Sequence, residues 1–204
     1  YLYTGNGSTQ TINNGIDLLN KGGLVWTKNR DLSTGDNWLT YSETLPADSW
    51  SALKILYSNK TNSAFRSGSA ISPFTSTGFN IASGAYDVNY ATSRYVSWTF
   101  RKAPKFFDVV TYTGDGTTNR MINHSLGSAP GCIIVKRTDS AGDWIVYHVS
   151  TGNNALILNN TGAAGSTYFA VLGDPTSTQF STKSGISVTN TSGATYVAYL
   201  FAHD

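Results

Sequence analysis

The sequence predicts an all-β protein built from two tandem, internally duplicated antiparallel β-sandwich subdomains of jelly-roll-like character. Three observations support this prediction: a composition of strand and turn formers, one unit that occurs twice, and turn clusters at short, regular spacing. The chain has 204 residues, and two units of about 100 residues each match the common size of a β-sandwich.

The composition favours strands and turns over helices. Charged residues make up 13% of the chain, about half the usual share, and Thr, Ser, Asn and Gly take their place. Thr favours strands, whereas Ser, Asn and Gly favour turns. Glu43 is the single Glu and Met121 the single Met, so the long side chains that favour helices are scarce. Because Cys132 is the single cysteine, an internal disulfide is excluded and a buried thiol is expected.

Five blocks of sequence occur twice in the same order, which indicates an ancient duplication. The offset between matching residues falls from 109 at the first block to 101 at the last, as expected if loops differ in length. The pairs are Tyr3–Thr9 with Tyr112–Thr118, Gly23–Lys28 with Gly131–Lys136, Asp36–Tyr41 with Gly142–Tyr147, Thr75–Phe79 with Thr176–Phe180, and Tyr95–Phe100 with Tyr196–Phe201.

The joint between the copies is predicted near Pro104, because proline cannot donate to a strand ladder and charged residues surround it. We therefore expect a first sandwich over residues 1–104 and a second over residues 105–204. Two arrangements are compatible with the repeat. Each copy forms its own sandwich, or the first strand of one copy pairs with the last strand of the other in a fused sandwich.

Catalytic chemistry is not indicated by any motif, so no catalytic residue is assigned and the chain is expected not to be an enzyme. The three histidines, His124, His148 and His203, lack the spacing of metal ligands. Glycoside hydrolysis normally needs two facing carboxylates, whereas most aspartates here lie in turn contexts. No cofactor is predicted, and a Ca²⁺ ion held by loop oxygens is the one alternative left open.

Aromatic side chains are the strongest candidates for ligand contact, because a flat apolar ring can stack on a sugar face. Trp50 and Tyr57 lack a clear partner in the second copy, and we predict that both contact ligand from a long loop. His148 stands where the first copy has Ser42, and it is the third predicted ligand contact. The repeat-matched aromatic residues are expected in the core: Trp38, Trp98, Phe100, Trp144, Tyr199 and Phe201.

Net charge narrows the range of partners. The formal charge is +2, and Lys and Arg are spread along the chain, so neither nucleic acid nor a membrane surface is an expected partner. No apolar stretch approaches the ~20 residues that span a bilayer. The chain starts at Tyr1 without an initiator Met, as expected for a piece of a longer polypeptide.

The second copy carries the motifs of a known family. They are Phe106–Gly116, Ile122–Gly127, Pro130–Arg137, Trp144, Tyr147–His148 and Tyr196–Ala202. This series resembles a domain of unknown function found in tail-fibre and other virion proteins of marine phages, notably cyanophages. The resemblance implies an extracellular location in the virion, contacts with other virion proteins and assembly as a homotrimer.

Three functions follow from these expectations. The first is a non-catalytic tail-fibre module that contacts host cell-surface polysaccharide. The second is a purely structural virion or filament subunit that makes chain-to-chain contacts, since weakly charged strand edges tolerate the approach of another chain. The third, which the residues favour least, is a depolymerase of envelope polysaccharide.

Overall fold

The computed structural model describes residues 1–31, 37–42, 54–65, 71–152, 154–165, 172–173, 175–182 and 187–203. The chain divides into two units. Unit 1 comprises Tyr1–Ser58 and Phe65–Lys102, and unit 2 comprises Asn59–Ala64 and Ala103–Asp204. A six-residue segment of the first repeat, Asn59–Ala64, thus belongs to unit 2.

Unit 1 contains two antiparallel sheets. A five-stranded sheet has the order β1-β8-β3-β4-β5, and a three-stranded sheet has the order β2-β7-β6. A short helix, α1 (Tyr86–Asn89), precedes β8. The strands are β1 (Leu2–Thr4), β2 (Gln10–Asn13), β3 (Gly23–Asn29), β4 (Asn37–Ser42), β5 (Lys54–Tyr57), β6 (Ile71–Thr75), β7 (Gly78–Ile81) and β8 (Arg94–Arg101).

Unit 2 repeats this plan. Its five-stranded sheet has the order β9-β16-β11-β12-β13, and its three-stranded sheet has the order β10-β15-β14. A one-turn 3-10 helix (Val149–Thr151) follows β12, and α2 (Ser187–Asn190) precedes β16. The strands are β9 (Phe107–Thr113), β10 (Arg120–Asn123), β11 (Pro130–Arg137), β12 (Trp144–His148), β13 (Leu156–Ile157), β14 (Leu172–Gly173), β15 (Gln179–Thr182) and β16 (Thr195–Ala202).

The predicted all-β, internally duplicated sandwich fold is confirmed. Every strand of unit 1 has a counterpart in the same sheet position of unit 2, and each short helix lies directly before the last strand of its unit. β1 pairs with β8 and β9 pairs with β16, so the first and last strands of each copy pair with each other. The alternative of a fused sandwich with exchanged strands is therefore wrong.

A hydrophobic core lies between the two sheets of each unit. Along β16, Tyr196, Ala198 and Leu200 alternate toward this core, as the two-residue period of a strand requires. The unit 1 core consists of Ile12, Leu18, Val25, Ile55, Ile71, Phe74, Phe79, Ile81, Ala85 and Val88. The unit 2 core consists of Tyr112, Ile122, Leu126, Ile133, Val135, Ile145, Ala155, Phe180, Ala194, Tyr196, Ala198 and Leu200.

A stacked tyrosine pair joins the first and last strands of each unit. The rings of Tyr3 and Tyr95 stack at 5.1 Å, and those of Tyr112 and Tyr196 stack at 5.1 Å. The Tyr3 hydroxyl donates to the Val88 carbonyl at 2.9 Å, and the Tyr112 hydroxyl makes the corresponding bond in unit 2. Burial raises the pKa of both the Tyr3 and the Tyr112 phenol, so both stay neutral donors.

A buried asparagine holds the turn after the first strand of each unit. In unit 2, the Asn190 side chain accepts the Asp115 backbone N–H at 3.1 Å and donates to the Thr117 carbonyl at 2.8 Å. In unit 1, Asn89 accepts from Asn6 and donates to Ser8 in the same way. The matched asparagines thus explain why the Tyr3–Thr9 block repeats as Tyr112–Thr118.

The segment Asn59–Ala64 is hydrogen-bonded to β11, β12 and the loop between them in unit 2. The Trp144 indole N–H donates to the Lys60 carbonyl at 3.1 Å. The Lys136 ammonium donates to the carbonyls of Thr61 at 3.1 Å and Arg137 at 2.9 Å. Both Trp144 and Lys136 are fully buried, so these bonds form away from water.

The strand pairing corrects one residue alignment between the two copies. Tyr95 and Tyr196 occupy equivalent positions, because each pairs with the first tyrosine of its unit. Each of Lys28 and Lys136 pairs with the residue directly after this tyrosine in the last strand of its unit, so Lys28 is equivalent to Lys136. Lys136 pairs with Trp144, whereas Lys28 pairs with Asn37 and Trp38 pairs with Thr27. The alignment of Trp38 with Trp144 is therefore wrong by one residue, because the β3–β4 and β11–β12 hairpins close in different registers.

We expect Trp144→Ala to lower the free energy of unfolding by ~3–5 kcal/mol, the usual cost of deleting a buried large aromatic side chain. Trp144→Phe is the matched control: it keeps a ring against Tyr199, which stacks on Trp144 at 6.2 Å, and removes the bond to Lys60. The control should cost less than Trp144→Ala. Urea denaturation measures both, and a loss below about 1 kcal/mol for Trp144→Ala would contradict the structure.

Lys136 should make stability depend on pH. Burial lowers the pKa of its ammonium group to about 8, against about 10.4 in an unfolded chain. Between these values the unfolded state binds more protons than the folded state, so the free energy of unfolding rises with pH. From about pH 7.5 to about pH 9.5, the parent protein should gain ~1–2 kcal/mol relative to Lys136→Met.

Urea denaturation at the two pH values measures this gain. Lys28→Met is the control, because Lys28 holds the equivalent position in unit 1 and its replacement leaves Lys136 in place. A gain that survives Lys136→Met would assign the pH dependence to another group.

Candidate functional site

Trp98 distinguishes the large sheet of unit 1 from that of unit 2. Its side chain is 47% exposed, whereas Tyr199, the equivalent residue of β16, is 1% exposed. The prediction that Trp98 belongs to the core is therefore wrong. Tyr199 is buried, as the core prediction requires. Phe100 and Phe201, which were also predicted in the core, are half-buried.

The residues that pair with the last strand also differ between the two units. In unit 2, β9 pairs with β16 from Phe107–Phe201 to Thr113–Thr195. In unit 1, β1 pairs only with Arg94–Val96, and Tyr1 extends the pairing by exchanging two backbone hydrogen bonds with Ser97 at 2.8 Å. Among the described residues, β8 therefore has a neighbour only on its β3 side from Trp98 onward.

A groove of about 350 Å³ lies along this part of β8. Its volume falls in the lower range of small-molecule sites. Trp98 and Phe100 contribute aromatic surface, and the ring of Trp98 meets Trp26 edge to face at 6.1 Å. The other lining residues are Tyr1, Asn14, Ile16, Ser97 and Thr99.

The polar groups of the groove are held in place by local hydrogen bonds. The Asn14 amide donates to the Thr99 hydroxyl at 2.8 Å, and its carbonyl oxygen accepts the Ile16 backbone N–H at 3.0 Å. The Thr99 hydroxyl accepts from Asn14, so its own proton can donate to a ligand. No charged side chain is among the seven lining residues, and the groove therefore suits a neutral ligand.

The three predicted ligand residues do not form this groove. Trp50 lies outside the described residues. Tyr57 lies in β5 rather than in a loop, is half-buried, and packs against Phe65 with ring centroids 5.2 Å apart. His148 ends β12 in unit 2, is exposed, and accepts the Ser150 backbone N–H at 3.2 Å to cap the 3-10 helix. Their roles in ligand contact stay predictions.

Among the buried polar residues, His124 and Asp108 have side chains of the types that commonly act as an acid or a base in catalysis. His124 accepts the Leu126 backbone N–H at 3.2 Å, and burial lowers the pKa of its imidazole. Asp108 accepts the backbone N–H groups of Val109 at 2.9 Å and Ser125 at 2.7 Å. These bonds satisfy the loop backbone, which is a structural role. Within the parts of the chain that the structure describes, no three His, Cys, Asp or Glu residues form a potential metal site.

Sequence reasoning missed the groove because Trp98 and Tyr199 occupy the same place in matching blocks. The exposure of a side chain depends on its contacts across the fold, and matching blocks of sequence do not record those contacts.

The two equivalent aromatic residues should differ in their effect on stability. Trp98→Ala removes a half-exposed ring and should lower the free energy of unfolding by about 1 kcal/mol, whereas Tyr199→Ala should cost ~3–5 kcal/mol. Urea denaturation of the two variants measures the contrast. Equal losses would show that Trp98 is buried.

Comparison with known proteins places the whole chain in one family. Among the described residues, no helix has the length and apolar character needed to cross a membrane. Neither the curated proteins nor the solved structures yielded a match. Residues 1–204 match a domain of unknown function, DUF7483, and the chain is therefore a member of the DUF7483 family.

Proposed function

We propose that this chain is a non-catalytic attachment module of a virion, and that unit 1 contacts neutral host-surface glycan through the groove beside β8. The observation that carries this proposal is the exposed ring of Trp98. Its ring is 47% exposed and lines the groove. The tail-fibre setting rests on the sequence motifs of the second copy.

The chemistry of the groove is compatible with a saccharide. A pyranose presents apolar C–H faces and hydroxyl edges. The Trp98 ring offers a flat apolar surface to the first, and the Asn14 amide and Thr99 hydroxyl offer polar atoms to the second. The absence of charged side chains among the lining residues favours neutral sugars over acidic ones.

The proposal excludes hydrolysis of the glycan. Retaining and inverting glycosidases place two carboxyl groups across the scissile bond, and the groove lining contains none. The only Glu of the chain, Glu43, lies outside the described residues. A depolymerase role accordingly has the least support of the three functions.

The structural function rests on the low charge of the chain, of which charged residues make up 13%, since weakly charged strand edges tolerate the approach of another chain. Self-association as a homotrimer and contacts with other virion proteins belong to the same proposal. Three copies would also multiply weak glycan contacts by avidity.

Binding of the folded protein to purified host-surface polysaccharide tests the glycan function. Trp98→Ala should weaken binding by about tenfold, since loss of an aromatic stacking contact costs ~1–1.5 kcal/mol. Tyr90→Ala is the matched control, because Tyr90 is 55% exposed in unit 1 and does not line the groove.

Two results would contradict the proposal. Equal affinities of the parent protein and Trp98→Ala would remove the groove from the contact. Release of soluble oligosaccharides during the incubation would show catalysis.

A further inference from the structure

The loop after the second strand of each unit is held by one side chain, and the two units use different residues for this purpose. Asn14 directly follows β2, and its side-chain oxygen accepts the Ile16 backbone N–H at 3.0 Å. His124 directly follows β10, and its Nδ1 atom accepts the Leu126 backbone N–H at 3.2 Å. Asn14 and His124 therefore hold equivalent places, but only the histidine can change its charge near neutral pH.

The β10–β11 loop of unit 2, His124–Ala129, is attached to the core through the residue that His124 holds. Leu126 is fully buried and belongs to the unit 2 core. Its carbonyl group accepts the Lys105 backbone N–H at 2.6 Å. The neighbouring Ser125 backbone N–H donates to the Asp108 carboxylate at 2.7 Å. The bond from Leu126 to His124 thus stabilises the point at which the loop enters the core.

This hydrogen bond fixes the tautomer of His124. Because Nδ1 accepts a proton from Leu126, the neutral imidazole must hold its own proton on Nε2. A second proton can be added only at Nδ1, which then becomes a donor that faces the Leu126 N–H. Protonation therefore replaces a hydrogen bond by two opposed donors. The side-chain oxygen of Asn14 stays an acceptor at every pH near neutrality.

The surroundings of the imidazole also disfavour its charged form. His124 is 7% exposed and stacks on Phe180 with ring centroids 6.5 Å apart. Its Nε2 atom is buried and has no hydrogen-bond partner among the described residues. Burial lowers the pKa of His124, and the Asp108 carboxylate and the carbonyl groups of Thr176 and Gln179 oppose this shift without outweighing it. Asp108 on β9 supplies the charge that acts on the ring, whereas Phe180 on β15 and the two turn residues are uncharged.

We propose that His124 is a pH-sensitive latch of unit 2, whose protonation releases the β10–β11 loop from the core, while Asn14 keeps the equivalent loop of unit 1 closed at the same pH. Release withdraws Leu126 from the core and exposes apolar surface. The two copies of one fold thereby respond differently to acid. The latch lies within unit 2 and does not depend on the glycan groove of unit 1.

The direction of the pH dependence follows from proton linkage. In the released loop, His124 is hydrated and has the ordinary pKa of about 6.5, which is higher than that of the buried imidazole. Below about pH 6.5 the released loop binds more protons than the latched loop, so acid favours release. Above about pH 6.5 the imidazole is neutral in both states, and the latch stays closed.

Hydrogen exchange of the 204-residue protein, followed by nuclear magnetic resonance, tests the latch at a single amide. Protection factors, which are corrected for the intrinsic exchange rate, are measured at about pH 7.5 and about pH 5.0. The protection of the Leu126 amide should fall about three- to thirtyfold, since one linked proton changes an equilibrium by at most about tenfold per pH unit below about pH 6.5. The Ile16 amide is the internal control and should change by less than about twofold.

Two variants separate the latch from other acid effects. His124→Asn gives unit 2 the residue that unit 1 contains, so an oxygen still accepts the Leu126 N–H and nothing titrates. Its Leu126 protection should be the same at both pH values within about twofold. Asp108→Asn keeps an oxygen for the Ser125 N–H and removes the charge that favours the imidazolium. In this variant, the acid-induced fall at Leu126 should be larger than in the parent protein.

Three results would overturn the inference. The first is a Leu126 protection factor that acid leaves unchanged in the parent protein. The second is an equal fall at Ile16, which would show that the response is not specific to unit 2. The third is a fall that persists in His124→Asn, which would assign the response to another group. The first two results come from the parent protein alone, so a variant that does not fold leaves the test intact.

Discussion

The pairing of the first strand with the last strand in each unit is the constraint on which the rest of the structure depends. A tyrosine from each strand stacks on its partner, and a hydroxyl group of the pair anchors the turn before the last strand. A slip of one residue would move every core side chain of the strand to the opposite face. The two buried rings make such a slip costly, because each hydroxyl would lose its bond to the backbone.

The asparagine turn extends this constraint to the second strand. Gly5 and Gly114 approach the backbone of Tyr90 and Thr191 so closely that a Cβ atom would collide with a carbonyl oxygen. Asn89 and Asn190 then satisfy the backbone groups of the turn that follows. The first strand, the turn and the short helix thus form one hydrogen-bonded assembly in each copy, and the two copies differ mainly outside it.

The duplication made much of the fold predictable. Each of the five repeated blocks contributes to a strand, and their shared order becomes the shared strand order of the two units. Three features escaped prediction for physical reasons. The Trp38 alignment relied on matching tryptophans, whereas hairpin register decides the pairing. The attachment of Asn59–Ala64 to Lys136 and Trp144 is a long-range contact with no local pattern. Trp98 was placed in the core because its own strand resembles β16, although burial depends on the strand beside it.

The candidate site illustrates the last point most clearly. Trp50, Tyr57 and His148 were chosen because they lack a counterpart in the other copy, which is a property of their own positions. Trp98 and Phe100 line the groove together with Asn14 and Ile16, which follow β2 in sequence and meet β8 only in the folded unit. A comparison of single residues between the copies does not reveal such a contact, because it depends on neighbours that are distant in sequence.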